Sequence, residues 1–300
     1  MIPGAGRASA FRMTGDPVGH IGFFESVPDY AVAERLLAEA TAWLRSEGCT
    51  TVRGPINFDT WHSYRFVTAG QERMPPFLLE PYNPPYYPEF WERFGFQVSA
   101  RYFSNLAHDP AYTAALLERH HTKAVAGGCR FRPFDPGRFD QELRLLYDLS
   151  CEIFRDNWGY REIGFAEFAG LYTGAKRILD PGLCVIAEHP DHGPVGFLFG
   201  MPDYGAAVRA ARGRGGLLGA AAFLLARRKP ELALLKTIGV SPAARGTNVG
   251  FAMCYVHYRH VLSAGYRQGI HALMIEDNTS RRMSAAKGGD IVREYAVYDL

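Results

Sequence analysis

The sequence predicts a mixed α+β chain built as two similar units, and three observations carry this. Short apolar, aromatic-rich runs alternate with longer segments whose apolar residues fall at helical spacing. That order occurs twice, with the glycine pair at 127–128 between the halves. Of 300 residues, 47% are apolar and 21% charged, which is ample for a core and too few charges for a disordered chain.

Taken in order, 20–25 (HIGFFE) reads as a strand. Asp29 is placed to N-cap a helix over 31–47, where Val32, Leu36, Leu37, Ala40, Trp43 and Leu44 share a face and Gly48 ends it. A strand follows at 50–56. The run at 77–88, with four prolines in twelve residues, reads as irregular. A short helix at 89–94 closes on Gly95, then a strand spans 96–106 and a polar helix lies within 108–128.

The second half begins again with a strand at 130–134. Phe139, Leu143, Leu146, Leu149 and Ile153 mark a strongly periodic helix over 139–154, and a further helix is expected over 164–179. Strands at 183–188 and 195–200 are joined by the turn PDHGP. A strand at 232–240, a helix at 249–263, a strand at 270–276, a helix at 281–287 and a strand at 292–298 complete the chain. The expected units are 1–125 and 126–300. The second carries an insertion at 206–229 whose apolar centre has Arg209, Arg212 and Arg214 on one side and Arg227, Arg228 and Lys229 on the other. It is expected to be helical after Gly216 and to pack on the protein, over an acceptor cleft or the junction of the halves.

Composition excludes several classes. Thirty-three Lys and Arg against 31 Asp and Glu give a net charge of +2, so blanket phosphate attraction is not how the chain works, and no nucleic-acid partner is expected. The five cysteines, Cys49, Cys129, Cys151, Cys184 and Cys254, form no close pair, so neither a disulfide framework nor a metal site is expected. His257, Tyr258 and His260 fall at the spacing of surface residues rather than ligands. The first fifteen residues have no apolar stretch, and the longest apolar run, 215–226, is too short to span a bilayer. The expectation is a cytoplasmic protein with no membrane span.

The chemistry is concentrated at 238–253, IGVSPAARGTNVGFAM. A strand ends at Val240, a turn follows, and a helix opens near Val249. The first amides of a helix lack internal partners and sit at the positive end of its dipole, and a glycine-bearing loop lets amides wrap an anion. Arg245 adds a fixed charge.

These residues resemble the acetyl-CoA loop of the GNAT N-acetyltransferase superfamily, whose pattern is Gln/Arg-x-x-Gly-x-Gly/Ala. Arg245 takes the first position and Gly250 the last; Asn248 replaces the middle glycine and is the residue that best tolerates its positive φ. The resemblance implies that Ile238, Gly239, Val240, Arg245, Gly246, Thr247, Asn248, Val249 and Gly250 hold acetyl-CoA or another acyl-CoA, with Asn278 and Arg281 near its arm. The stretch 286–289 resembles the family's Tyr-x-Lys-x-Gly-Phe ending, but the usual acid tyrosine falls on Ala285. Glu276 is then a candidate base, and Tyr295 or Tyr298 a candidate acid.

The first half resembles the later part of one such unit: 20–26 as its fourth strand, 31–47 as its third helix, and Trp91 to Phe96 as its ending. It has no phosphate loop, since Asp29 stands where the anion would go. Tyr86 and Tyr87, with Asn57 and the Trp61, His62 and Tyr64 cluster, are candidates for an acceptor wall. The implied activity is direct acyl transfer to a small-molecule or peptide amine. Two alternatives remain: a non-catalytic CoA sensor or scaffold, and an aminoacyl-tRNA-dependent transferase of tandem-GNAT type.

Overall fold

The computed structural model describes residues 1–226, 230–278, 281, 284 and 289–300. Two compact units divide the chain. The first comprises Met1–Phe103, Ile275–Asp277 and Val292–Leu300; the second comprises Ser104–Met274 and Asn278–Ile291. The contacts therefore part near 103 rather than near 125, and the end of the chain returns to the first unit. The physical reason lies in α3 (Pro110–Ala126), whose buried Ala114, Leu117 and Ala124 join the core of the second unit. Gly127 and Gly128 terminate that helix instead of linking domains; Gly128 has φ +92°.

In the first unit, β1 (Gly6–Arg12) runs antiparallel to β2 (Val18–Ser26), and β2 is parallel to β3 (Thr51–Gly54). A parallel pair needs a crossover, which α1 (Tyr30–Ser46) supplies. β11 (Gly289–Asp299) pairs antiparallel with β3 and with β4 (Phe66–Ala69). Two of these strands differ from expectation. β1 lies in a segment for which no strand was expected from pattern, because small and arginine residues make an edge strand without an apolar signature. β4 is four residues long, below what periodicity resolves. α2 (Tyr86–Phe94) begins three residues earlier than expected, since Pro88 falls within its first turn, where a missing N–H costs nothing. Its Trp91 is fully buried among Phe24, Phe66 and Phe96, with ring centroids 4.5–5.6 Å away.

In the second unit the strand order is β10-β9-β8-β7-β6. β6 (Arg130–Pro133), β7 (Val185–His189), β8 (Gly193–Pro202) and β9 (Leu232–Val240) are successively antiparallel. β10 (Gln268–Ile275) is parallel to β9, with α8 (Val249–Ala264) as the crossover. Each unit thus holds a mixed, mostly antiparallel sheet with flanking helices. β5 (Gln97–Ala107) begins in the first unit and ends in the second.

α4 (Phe139–Phe154) matches its periodicity, whereas α5 (Phe165–Tyr172) is shorter than expected and tightens into a 3-10 turn over Thr173–Arg177. The insertion forms α6 (Gly205–Ala211) and α7 (Gly216–Ala226). The expectation that α7 is covered by the protein is met on one face only, for Leu217, Leu218, Leu224 and Leu225 stand in solvent. The helix expected at 281–287 lies largely outside the described residues.

Among its described residues the first unit buries an ion pair. Arg293 Nε lies 2.8 Å from Glu80 Oε1, with both side chains almost wholly enclosed, and the Arg293 guanidinium also donates to the carbonyls of Gly70 and Met74. Removing one partner strands the other charge. Arg293→Met should cost about 3–5 kcal/mol in urea unfolding, and adding Glu80→Leu should restore part of it. A single variant as stable as the parent would show the pair to be dispensable.

Candidate functional site

The site begins where β9 ends. Ser241 donates its amide to Val195, and a 3-10 turn over Pro242–Ala244 redirects the chain. Gly246 then adopts φ +79°, a left-handed conformation that lets the loop double back, with open space where a Cβ would sit. Thr247 Oγ1 ties the loop to the Ala244 carbonyl at 2.6 Å. Gly239 is glycine for another reason: a Cβ there would meet Ile153 at 3.0 Å, so β9 presses directly on α4.

α8 opens without a side-chain cap. Asn248 precedes it at φ −79°, so its tolerance of positive φ is not used. Its side chain is drawn sideways to His120 Nδ1 of α3 at 2.7 Å, and the His120 ring stacks on Phe251. The residue that departs from glycine is thus spent on anchoring α3, and the leading amides of α8 keep their donors. Arg245 reaches the Ile153 carbonyl at 3.3 Å and has no carboxylate partner among the described residues.

The first unit repeats the geometry with the opposite chemistry. β2, α1 and β3 make the same parallel crossover as β9, α8 and β10. There, however, Asp29 Oδ1 accepts from the Ala31 amide at 3.0 Å, so a carboxylate of the chain already fills the anion position.

Beside the loop is a cavity of about 180 Å³, lined among others by Lys123, His189, His192, Thr247, Asn248 and Val249. Its cationic and imidazole groups suit an anionic ligand. Elsewhere in the unit, His271 of β10 bridges two hydroxyls. Its Nε2 lies 2.6 Å from Tyr258 Oη and its Nδ1 2.6 Å from Ser284 Oγ. Gly289 is obligatory beside it, because a Cβ would sit 2.8 Å from Ser284 Oγ. Asn105, 1% exposed and close to Gly289, keeps both amide atoms without a partner among the described residues. His271, Ser284 and Asn105 carry no signal in the sequence, since no spacing motif joins positions so far apart.

The other expected residues are distributed between the units. Tyr295 and Tyr298 are core residues of the first unit, with hydroxyls that donate to Glu80 at 2.5 Å and Glu92 at 3.1 Å. Burial and the Glu92 carboxylate push the Tyr298 phenol up, which holds it protonated. Tyr86 donates to the Ser26 carbonyl, and Tyr87, raised to about 12 by burial, donates to Glu25 at 2.8 Å. Asn57 Oδ1 accepts from the Phe23 amide at 2.7 Å. These hydrogen bonds lie within the first unit. Glu276, just past β10, donates its amide to the Arg101 carbonyl; Arg281 donates its amide to the carbonyl of the exposed Asn278. His257 and Tyr258 are buried in the second core, not at the surface, and His260 pairs with Asp180 at 2.9 Å.

No model of a known protein family matches the chain. A protein named bacterial ceramide synthase, from Caulobacter vibrioides, is 25% identical over 288 residues, covering 94% of this chain and 74% of that protein. Among solved structures, a tandem GNAT protein from the clavulanic acid biosynthesis pathway aligns over 99% of this chain and 78% of its own, at TM-score 0.54 and 14% identity. A GCN5-related N-acetyltransferase from Sphaerobacter thermophilus aligns over 99% and 76%, at TM-score 0.53 and 12% identity. The fold is the GNAT fold, in two units.

His257 and His271 give the second unit a pH dependence. Burial pushes both down to about 4 from an ordinary 6.5. Between those values the unfolded chain takes up protons that the folded chain refuses, so stability is full above about pH 6.5 and falls as pH drops toward 4. The melting temperature should fall by at least about 5 °C between pH 7 and 4.5. A flat profile would contradict the neutral, buried state of both rings.

Proposed function

With the GNAT fold as premise, we propose that the chain is an acyl-CoA-dependent N-acyltransferase whose acceptor is a long-chain amino alcohol. The observation that carries the reading is the uncapped start of α8, preceded by Arg245 and the left-handed Gly246. Those amides and that guanidinium would receive a pyrophosphate, and the cavity with Lys123, His189 and His192 would take further phosphate oxygens. Ile238, Gly239 and Val240 would lie along the pantetheine arm, with Asn278 and Arg281 near it. The acceptor class is supported by the likeness to a ceramide synthase, since a ceramide is an N-acylated long-chain amino alcohol. A CoA thioester supplies an activated acyl group.

The chain's own task is to orient the amine and remove its proton. As the amine nitrogen bonds to the carbonyl carbon, the carbon–sulfur bond breaks and the thiolate takes a proton. Two groups on or just past β10 are candidates to move these protons. His271, neutral at pH 7, links Ser284 to Tyr258 in a continuous hydrogen-bonded relay. Glu276 is the alternative carboxylate. The relay stands in for the tyrosine that Ala285 replaces.

Calorimetric titration with CoA should saturate at one per chain, because Asp29 closes the equivalent position in the first unit. Gly246→Asp should weaken binding at least tenfold while Gly246→Ala, which adds no charge, weakens it less. Unchanged affinity in the Asp variant would remove the phosphate site from this loop. Turnover is followed as thiol release from palmitoyl-CoA with sphinganine. His271→Gln should lower kcat at least about tenfold and alter its pH profile, with KM for the thioester little changed. If Glu276→Gln does so instead, the carboxylate is the base.

A further inference from the structure

α7 is apolar on every side, yet only one side is covered. Gly219 faces inward against the Arg214 carbonyl, with no space for a Cβ, and Phe223 meets Tyr204 edge-on at 6.0 Å. On the opposite face Leu217 is 89% exposed, Leu218 76%, Leu224 63% and Leu225 86%. Ala221 extends that face, and α6 adds Val208, itself 49% exposed. A helix apolar all round is normally buried, so the outer face calls for a cover.

The surrounding charges identify the cover. Between Asp203 and Glu231 there is no acidic residue, and six cations flank the leucines: Arg209, Arg212 and Arg214 before α7, and Arg227, Arg228 and Lys229 directly after it in sequence. A second copy of this face would bring two such clusters together and be repelled. An anionic bilayer neutralises them and accepts the leucines among its acyl chains. Eleven residues rise only about 16 Å, far short of a bilayer core, so the helix would lie in the interface rather than cross it. An interfacial helix ordinarily needs a polar face toward water. Here the body of the protein covers that side, so no charge is required along the helix itself.

We propose that α7 docks the protein on anionic phospholipid membranes, with Leu217, Leu218, Leu224 and Leu225 inserted and Arg212 and Arg214 on the headgroups. This rests on α7 and not on the acyl-transfer reading. If both hold, the surface explains how a long-chain acceptor leaves the lipid phase for the enzyme.

Flotation of the full chain with vesicles tests it, without CoA or acceptor. Binding to 70:30 phosphatidylcholine:phosphatidylglycerol should exceed binding to pure phosphatidylcholine at least tenfold and weaken in 0.5 M salt. The quadruple change Leu217→Gln, Leu218→Gln, Leu224→Gln and Leu225→Gln should abolish it at an unchanged melting temperature. Leu218→Glu alone, a gentler change, should weaken it severalfold. Arg212→Glu with Arg214→Glu should erase the preference for anionic vesicles. Wild-type protein that stays unbound overturns the proposal, and so does a quadruple variant that floats like wild type. A dimer that the leucine changes dissociate, without vesicle binding, assigns the face to a second copy instead. CoA titration of the same variants reads the acyl-transfer proposal separately.

Discussion

Each unit of the protein is organised around what stands at the positive end of its crossover helix. Parallel strands side by side force the chain to cross over, and the helix that does so must begin just past the carboxyl end of the first strand. Its leading amides then need an acceptor. In the first unit the chain provides one, Asp29, and α1 is capped at its second amide. In the second unit no side chain among the described residues caps α8, which begins after Asn248, whose side chain is held by His120. Two copies of one geometry thus differ in what stands at the helix start: a carboxylate at α1, and no side-chain cap at α8 among the described residues.

The rest of each unit follows from holding that crossover in place. Around α8, Gly239 lets β9 press on α4, and β9 stays paired with β10 only over Leu232–Leu235 before the ladder ends. Around α1, Trp91 and the Arg293–Glu80 pair lock the last strand into the first unit. The chain end thereby becomes part of the unit with which the chain began, which is why neither half of the sequence corresponds to a unit.

Much of this was legible in the sequence, and the failures have physical causes. Long amphipathic segments such as α1, α4 and α8 announce themselves, because eleven or more residues repeat one period. Asp29 and Gly48 mark the ends of α1 through cap chemistry that is local. β1 and β4 were invisible because an edge strand of small and charged residues, or one of four residues, leaves no pattern. The loop at Arg245 and Gly246 was readable since its chemistry is contiguous. The His271 bridge was not, because Tyr258, His271 and Ser284 come from separate elements and meet only in the fold. The exposure of α7 was hidden for a related reason. An all-apolar helix reads as core, and only the packing shows which face has no partner.

The most direct measurement is a backbone amide NMR titration with CoA. The account predicts that the amides of Gly246, Asn248, Val249 and Gly250 shift together and saturate, while those of Ala31 and Val32 at the capped start of α1 stay fixed. Shifts at α1, or none at the start of α8, would contradict it.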